Sequence, residues 1–157
     1  MIRKYKSSDY EFVLNGVISI QKQIKMANLP LISKGRRYKK EVAKKFVESL
    51  LKPENLCFIL TDEDENSIVF TCFKPINKDS CCFEFFFKIP TATMHSKIIR
   101  EFFNHVKSIK PMYGFKNMYA NLMERKGYNK WIYMAEKHFN AEIISQSKNK
   151  KTVVLNI

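Results

Sequence analysis

Between Leu56 and Ile109 the chain passes through three strand-like segments and then one long amphipathic helix. The segments are Leu56–Thr61, residues 67–73 and Ser80–Lys88, and the helical period covers about 93–109. The polar turn at 62–66, reading DEDEN, joins the first two segments as a hairpin. Strand side chains alternate, so Cys81, Phe83, Phe85 and Phe87 are expected on one face of the third segment. Cys82, Glu84, Phe86 and Lys88 then take the other. A strand this apolar on both sides belongs in the middle of a sheet that is covered twice. The helix that follows has Met94, Ile98, Ile99, Phe102, Phe103, Val106 and Ile109 on its inward stripe, with His105 on the polar side.

The flanks supply the cover. Residues 2–6 read as a short opening strand, and Ser8 and Glu11 have capping-box spacing. A helix follows with Val13, Val17, Ile20 and Ile24 in one row, Leu14 and Ile18 beside it, and Asn28-Leu29-Pro30 at its end. Gly16 weakens that helix by about 1 kcal/mol relative to alanine. After a basic loop at 29–37, a second helix at 38–51 turns Val42, Ala43, Phe46, Val47, Leu50 and Leu51 inward and Lys39, Lys40, Lys44 and Lys45 outward. Pro111 and Gly114 close the long helix. A strand at 117–122, a helix at Tyr128–Phe139 and an antiparallel pair at 141–146 and 151–157 complete the chain. In the last helix Tyr128, Trp131, Ile132, Ala135 and Phe139 face inward. This alternation specifies one α/β domain over residues 1–157, with a mixed, mostly antiparallel sheet and helices on both faces.

Composition narrows the function classes. With 45% hydrophobic residues and 13 Phe, disorder is excluded. No apolar run approaches the roughly 20 residues of a membrane-spanning helix, and the N-terminus lacks a secretory core. Cys57, Cys72, Cys81 and Cys82 form no CxxC pair and fall in strand-like runs, which reads as free thiols in a reducing compartment. His95, His105 and His138 have no metal-ligand spacing, so no metal site is expected. Twenty-eight Lys and Arg against 15 Asp and Glu give a net charge of +13, which favours anionic partners: nucleic acid, a coenzyme phosphate or an acidic protein. No GxSxG or P-loop is present, so hydrolase and NTPase chemistry has no support.

The opening Met1-Ile2-Arg3 with Asp9 where the first helix begins, and the tail from Asn117-Met118-Tyr119 through Trp131 to Phe139-Asn140-Ala141-Glu142, resemble the GNAT (Gcn5-related N-acetyltransferase) superfamily. The resemblance spans nearly the whole chain as element order and implies acetyl-CoA as cofactor. It also implies three site features. A phosphate-cradling turn would fall within residues 88–97, KIPTATMHSK, with Thr91, Ala92, Thr93, Ser96 and Lys97 as coenzyme contacts, although the family's glycines are missing there. The alternative for that stretch is a plain strand-to-helix turn capped by Thr91 or Thr93. A general base would be Glu84, desolvated among phenylalanines, unless it pairs with a lysine or an N–H across the sheet. A general acid would be Tyr133, although the register with Phe139 puts Met134 in that slot.

A narrower likeness, carried by residues 2–12 and the last helix, is to short GNAT-like bacteriophage proteins with degenerate active sites, including a small internal virion protein of T7-like podoviruses. It implies a non-catalytic protein that serves as a virion component or binds a viral or host protein partner, located in the virion or the host cytoplasm, with no cofactor. The alternatives are an acetyl-CoA-dependent N-acetyltransferase and a basic nucleic-acid-binding module.

Overall fold

The computed structural model describes residues 1–26, 40–88, 96–123, 128–147 and 150–157. Among these residues seven strands form one sheet: β1 (Ile2–Lys4), β2 (Leu56–Thr61), β3 (Ser67–Asn77), β4 (Ser80–Lys88), β5 (Asn117–Met123), β6 (Ala141–Ser147) and β7 (Lys150–Leu155). Their spatial order is β1-β2-β3-β4-β5-β7-β6. Every neighbouring pair is antiparallel except β4 and β5. A parallel pair cannot be joined by a tight turn. The connection here contains helix α3 (Ser96–Tyr113).

Two cores lie on opposite sides of the sheet, as the double-sided apolarity of the third segment requires. Helices α1 (Tyr10–Met26) and α2 (Lys40–Leu50) bring Val13, Leu14, Val17, Ala43 and Val47 against Ile59, Phe70, Cys72 and Phe87. Helices α3 and α4 (Tyr128–Phe139) bring Phe102, Val106, Ile109, Ala135 and Phe139 against Phe58, Phe73, Met118 and Val153. Each fully buried large apolar side chain contributes about 2 kcal/mol, and Phe70 and Phe73, both 0% exposed, sit at the two centres.

Strict alternation fails within β4. Cys72 pairs with Phe85 and the next β3 residue, Phe73, pairs with Phe83. Glu84 is therefore an extra residue in a β-bulge, which shifts the phase of the strand by one. Cys81 and Phe83 face α3, where Phe83 stacks on Phe73 at 4.7 Å. Phe85 and Phe87 face α1 and α2 instead. The expectation that these four residues share one face is corrected accordingly.

The start of α1 is organised by Asp9, not by the Ser8–Glu11 spacing. Asp9 is 6% exposed and closes a 3₁₀ turn at Ser7–Asp9. Its carboxylate accepts two hydrogen bonds from the Arg3 guanidinium, both 2.7 Å, and one from the Lys6 backbone N–H at 2.8 Å. The Arg3 hydrogen bond holds the Asp9 carboxyl below its ordinary pKa. The fork geometry explains why an arginine on β1 can fix the angle at which α1 leaves the sheet.

At the other end, α3 continues through Pro111 to Tyr113, past the stop expected near Ile109. Gly114 then takes a left-handed φ of 73°. The Phe115 N–H donates back to the Lys110 carbonyl at 3.0 Å, the long bond of a Schellman cap.

Gly16 has a packing reason. A Cβ built there would overlap the ring of Phe87, which is itself 2% exposed and has no room to withdraw. Gly16→Ala is expected to destabilise the fold by about 2 kcal/mol: overpacking of up to about 3 kcal/mol outweighs the helix-propensity gain of about 1 kcal/mol. Urea unfolding of the variant measures this, and an unchanged or higher midpoint would contradict the close approach.

His105 also departs from expectation. It is 7% exposed rather than solvated. Its ring lies edge-on to Phe58 at 4.7 Å and to Phe73 at 5.7 Å, and Nε2 is 3.2 Å from the Thr71 hydroxyl. Burial pushes its pKa down to about 4.

Candidate active site

The parallel pair at the centre of the sheet separates partway along. β4 and β5 are in register from Ser80↔Asn117 to Phe83↔Ala120. Beyond that point each strand stays paired to its outer neighbour. β4 follows β3 to Lys88↔Val69, and β5 follows β7 to Met123↔Lys150. Between them a wedge opens toward the carboxyl ends of both strands, where ligands of open α/β sheets commonly bind. Cys72 and Phe70 pair with Phe85 and Phe87, so the alternation of the ladder turns the backbone N–H and C=O of Phe86 away from β3 and toward the wedge. The bulge at Glu84 is the device that parts the strands, since a bulge bends its strand and increases its twist.

Glu84 stands at the apex of the wedge, one residue beyond the last β4–β5 pair. It is exposed, which corrects the expectation of a desolvated carboxylate: the bulge lifts it out of the phenylalanine row. It is not isolated. Burial first, then the nearby Glu84 charge, pushes the neighbouring Cys82 thiol up to about 12. Asn121 Nδ2 donates to Cys82 Sγ at 3.7 Å, and the Thr152 hydroxyl donates to Asn121 Oδ1 at 2.9 Å. A polar chain therefore runs from Thr152 on β7 through Asn121 on β5 to Cys82 on β4, two residues before Glu84.

Sequence reading missed Cys82, Asn121 and Thr152 as site residues. The available signal was Asn121, a polar residue between Ala120 and Leu122 in a central strand. Both neighbours pack toward α3 and α4, so Asn121 faces the opposite side.

At the open end of the wedge, Ser96 and Lys97 begin α3. Lys97 Nζ is 2.9 Å from Glu63 Oε1, and both side chains are largely exposed, at 69% and 85%. Glu63 lies in the β2–β3 turn, at the same end of the sheet as Lys88. An exposed pair of this kind is worth little and exchanges readily for another anion. Thr91, Ala92 and Thr93, together with Met94 and His95, lie outside the described residues, as does the basic loop expected at 29–37. Tyr133 is 57% exposed, with Lys137 Nζ 5.8 Å above its ring.

Among the described residues no cluster of three or more His, Cys, Asp or Glu is poised to hold a metal ion. No described helix is long and apolar enough to cross a membrane. The four cysteines are free thiols.

No family model and no curated protein matches the sequence. Solved structures do match. Spermidine N-acetyltransferase SpeG of Vibrio cholerae, in a point-mutant form, aligns at a TM-score of 0.67 and 14% identity, over 99% of this chain and 94% of that one. The Campylobacter jejuni N-acetyltransferase PseH in complex with acetyl coenzyme A aligns at 0.61 and 16%, over 99% and 98%. FdhC, a nucleotide-linked sugar GNAT, aligns at 0.65 and 13%, over 98% and 84%. The protein has the GNAT fold, with the mixed sheet and two-sided helices expected from its sequence.

Proposed function

We propose that this protein is an acyl-CoA-dependent N-acyltransferase. The observation that carries the reading is the wedge between β4 and β5 with Glu84 at its apex. An extended thioester arm fits such an opening as a substitute strand, with the Phe86 backbone directed at it. Acetyl-CoA, when bound, supplies the activated acyl group. Ser96 and Lys97 at the start of α3 would receive its phosphates, since helix N–H groups and a lysine favour an anion. Glu84 takes the proton from an acceptor amine, with the Cys82–Asn121–Thr152 chain beside it on the sheet. The fold-level likeness to an acetyl-CoA-bound transferase supports the cofactor. The acceptor follows from charge. A net +13 repels polyamines and favours an amine carried on a neutral or anionic molecule, such as a nucleotide-linked amino sugar.

Calorimetry and thermal unfolding with acetyl-CoA test this. At 100 times Kd the coenzyme should add about 2.7 kcal/mol of stability, or a Tm rise of roughly 5–10 °C for a chain of this size. Turnover with anionic amino sugars should exceed turnover with spermidine. One observation favours a second reading: residues 88–97 contain no glycine. If millimolar acetyl-CoA gives neither heat nor stabilisation, the protein is instead a non-catalytic member of the fold, and its detection in purified bacteriophage particles would support a virion role.

A further inference from the structure

Cys57 on β2 and Cys72 on β3 are direct cross-strand partners. The Cys57 carbonyl accepts from the Tyr5 N–H at 2.9 Å, so the Cys57 backbone is committed to β1 and not to β3. Cys57 and Cys72 thus occupy a non-hydrogen-bonded position, where opposite Cα atoms approach to about 4.5 Å and side chains lie closest. That separation is within the range a disulfide spans. Both sulfurs converge on one oxygen: Cys57 Sγ is 3.3 Å and Cys72 Sγ 3.5 Å from the Leu50 carbonyl at the end of α2. Cys72 is buried, while Cys57 is half-buried.

We propose that Cys57 and Cys72 form a dithiol site that reacts with low-molecular-weight disulfides and closes to an intramolecular cross-strand disulfide. The Cys57 thiolate attacks one sulfur of an oxidised glutathione. Its S–S bond breaks, a Cys57–glutathione mixed disulfide forms, and one glutathione thiolate leaves. Cys72 then loses its proton and attacks Cys57 Sγ, expelling the second glutathione. The two protein thiols give up two electrons and two protons, and the reagent disulfide is reduced to two thiols.

The division of labour is built in. Cys72 lies wholly inside the core between the sheet and α1 and α2, whereas Cys57 lies at its margin; the neighbouring Cys72 lowers the pKa of Cys57, and the neighbouring Cys57, with burial, raises that of Cys72. The half-buried sulfur is therefore the nucleophile and the buried one resolves it. Little else needs to move. The Leu50 carbonyl loses two S–H donors but keeps Asn55 Nδ2 at 2.9 Å. Cys81, by contrast, faces the other core, among Phe73 and Met118.

The full chain, treated with excess oxidised glutathione, alkylated and mapped by mass spectrometry, tests the site. The expected product has lost two hydrogens, links the Cys57 and Cys72 peptides, and leaves Cys81 and Cys82 alkylatable after unfolding. Closing this loop should raise Tm by roughly 5–10 °C, reversibly with reductant. Cys72→Ser should arrest at a glutathione adduct on Cys57, and Cys57→Ser should form no link. A wild-type chain with both thiols still free, a persistent Cys57 adduct beside a free Cys72, or a Cys72–Cys82 link would each overturn the proposal.

Discussion

Glu84→Gln is expected to lower kcat/KM for acyl transfer by about 100- to 10,000-fold, with coenzyme affinity unchanged. Glutamine keeps the length and shape of the side chain, and the Cys82–Asn121–Thr152 chain does not run through residue 84, so it survives. What is lost is the capacity to take a proton. In the proposed binding mode the coenzyme arm would run along the backbone of the wedge and its phosphates would meet the start of α3, so neither part of its affinity would depend on the Glu84 charge. The defect should also shrink as pH rises, because an acceptor already present as free amine needs no base. Steady-state rates from pH 6 to 10, with calorimetric titration of coenzyme into both proteins, separate these effects. Equal turnover in the two proteins would remove Glu84 from the proton-accepting role. Loss of coenzyme binding in the variant would show that the carboxylate shapes the wedge and does no chemistry.

The bulge that makes Glu84 available is also what the sequence concealed. A period of two over 80–88 puts four residues in one row, but the actual row breaks at Glu84. Phenylalanine fills both sides of β4, so moving one residue over changes no apolar position into a polar one, and the pattern carries no trace of the shift. Element type and order were legible because α1, α2 and α3 have clean helical stripes and the strands are dense in β-branched and aromatic residues. Helix ends were less so. Asp9 works through Arg3, a partner on another element, and local capping spacing cannot reveal such a contact. The wedge was not legible, because it is a property of two strands distant in sequence.

His105 shows the same limit and leads to the second large effect. By spacing it falls on the polar side of α3, yet Phe58 and Phe73 reach across to cover it. Arg3, Lys4 and Glu101 border the groove above it, and two of these are cationic. Burial holds its pKa at about 4, whereas in the unfolded chain it returns to about 6.5. As pH falls below about 6.5 the unfolded chain takes up a proton that the native protein refuses, so stability falls. The loss begins near pH 6.5, grows to about 3 kcal/mol as pH approaches 4, and then levels off. Asp9 acts in a separate window: its lowered pKa contributes stability above the carboxylate range and loses it only as pH drops through that lowered value. Urea midpoints between pH 8 and 4.5 should therefore decline steeply in the wild type. His105→Gln keeps a polar atom for the Thr71 hydroxyl but cannot titrate, so its stability should be lower at pH 8 and nearly flat across the same interval. Parallel declines in the two proteins would mean that another group carries the acid sensitivity and that His105 is protonated within its aromatic cage.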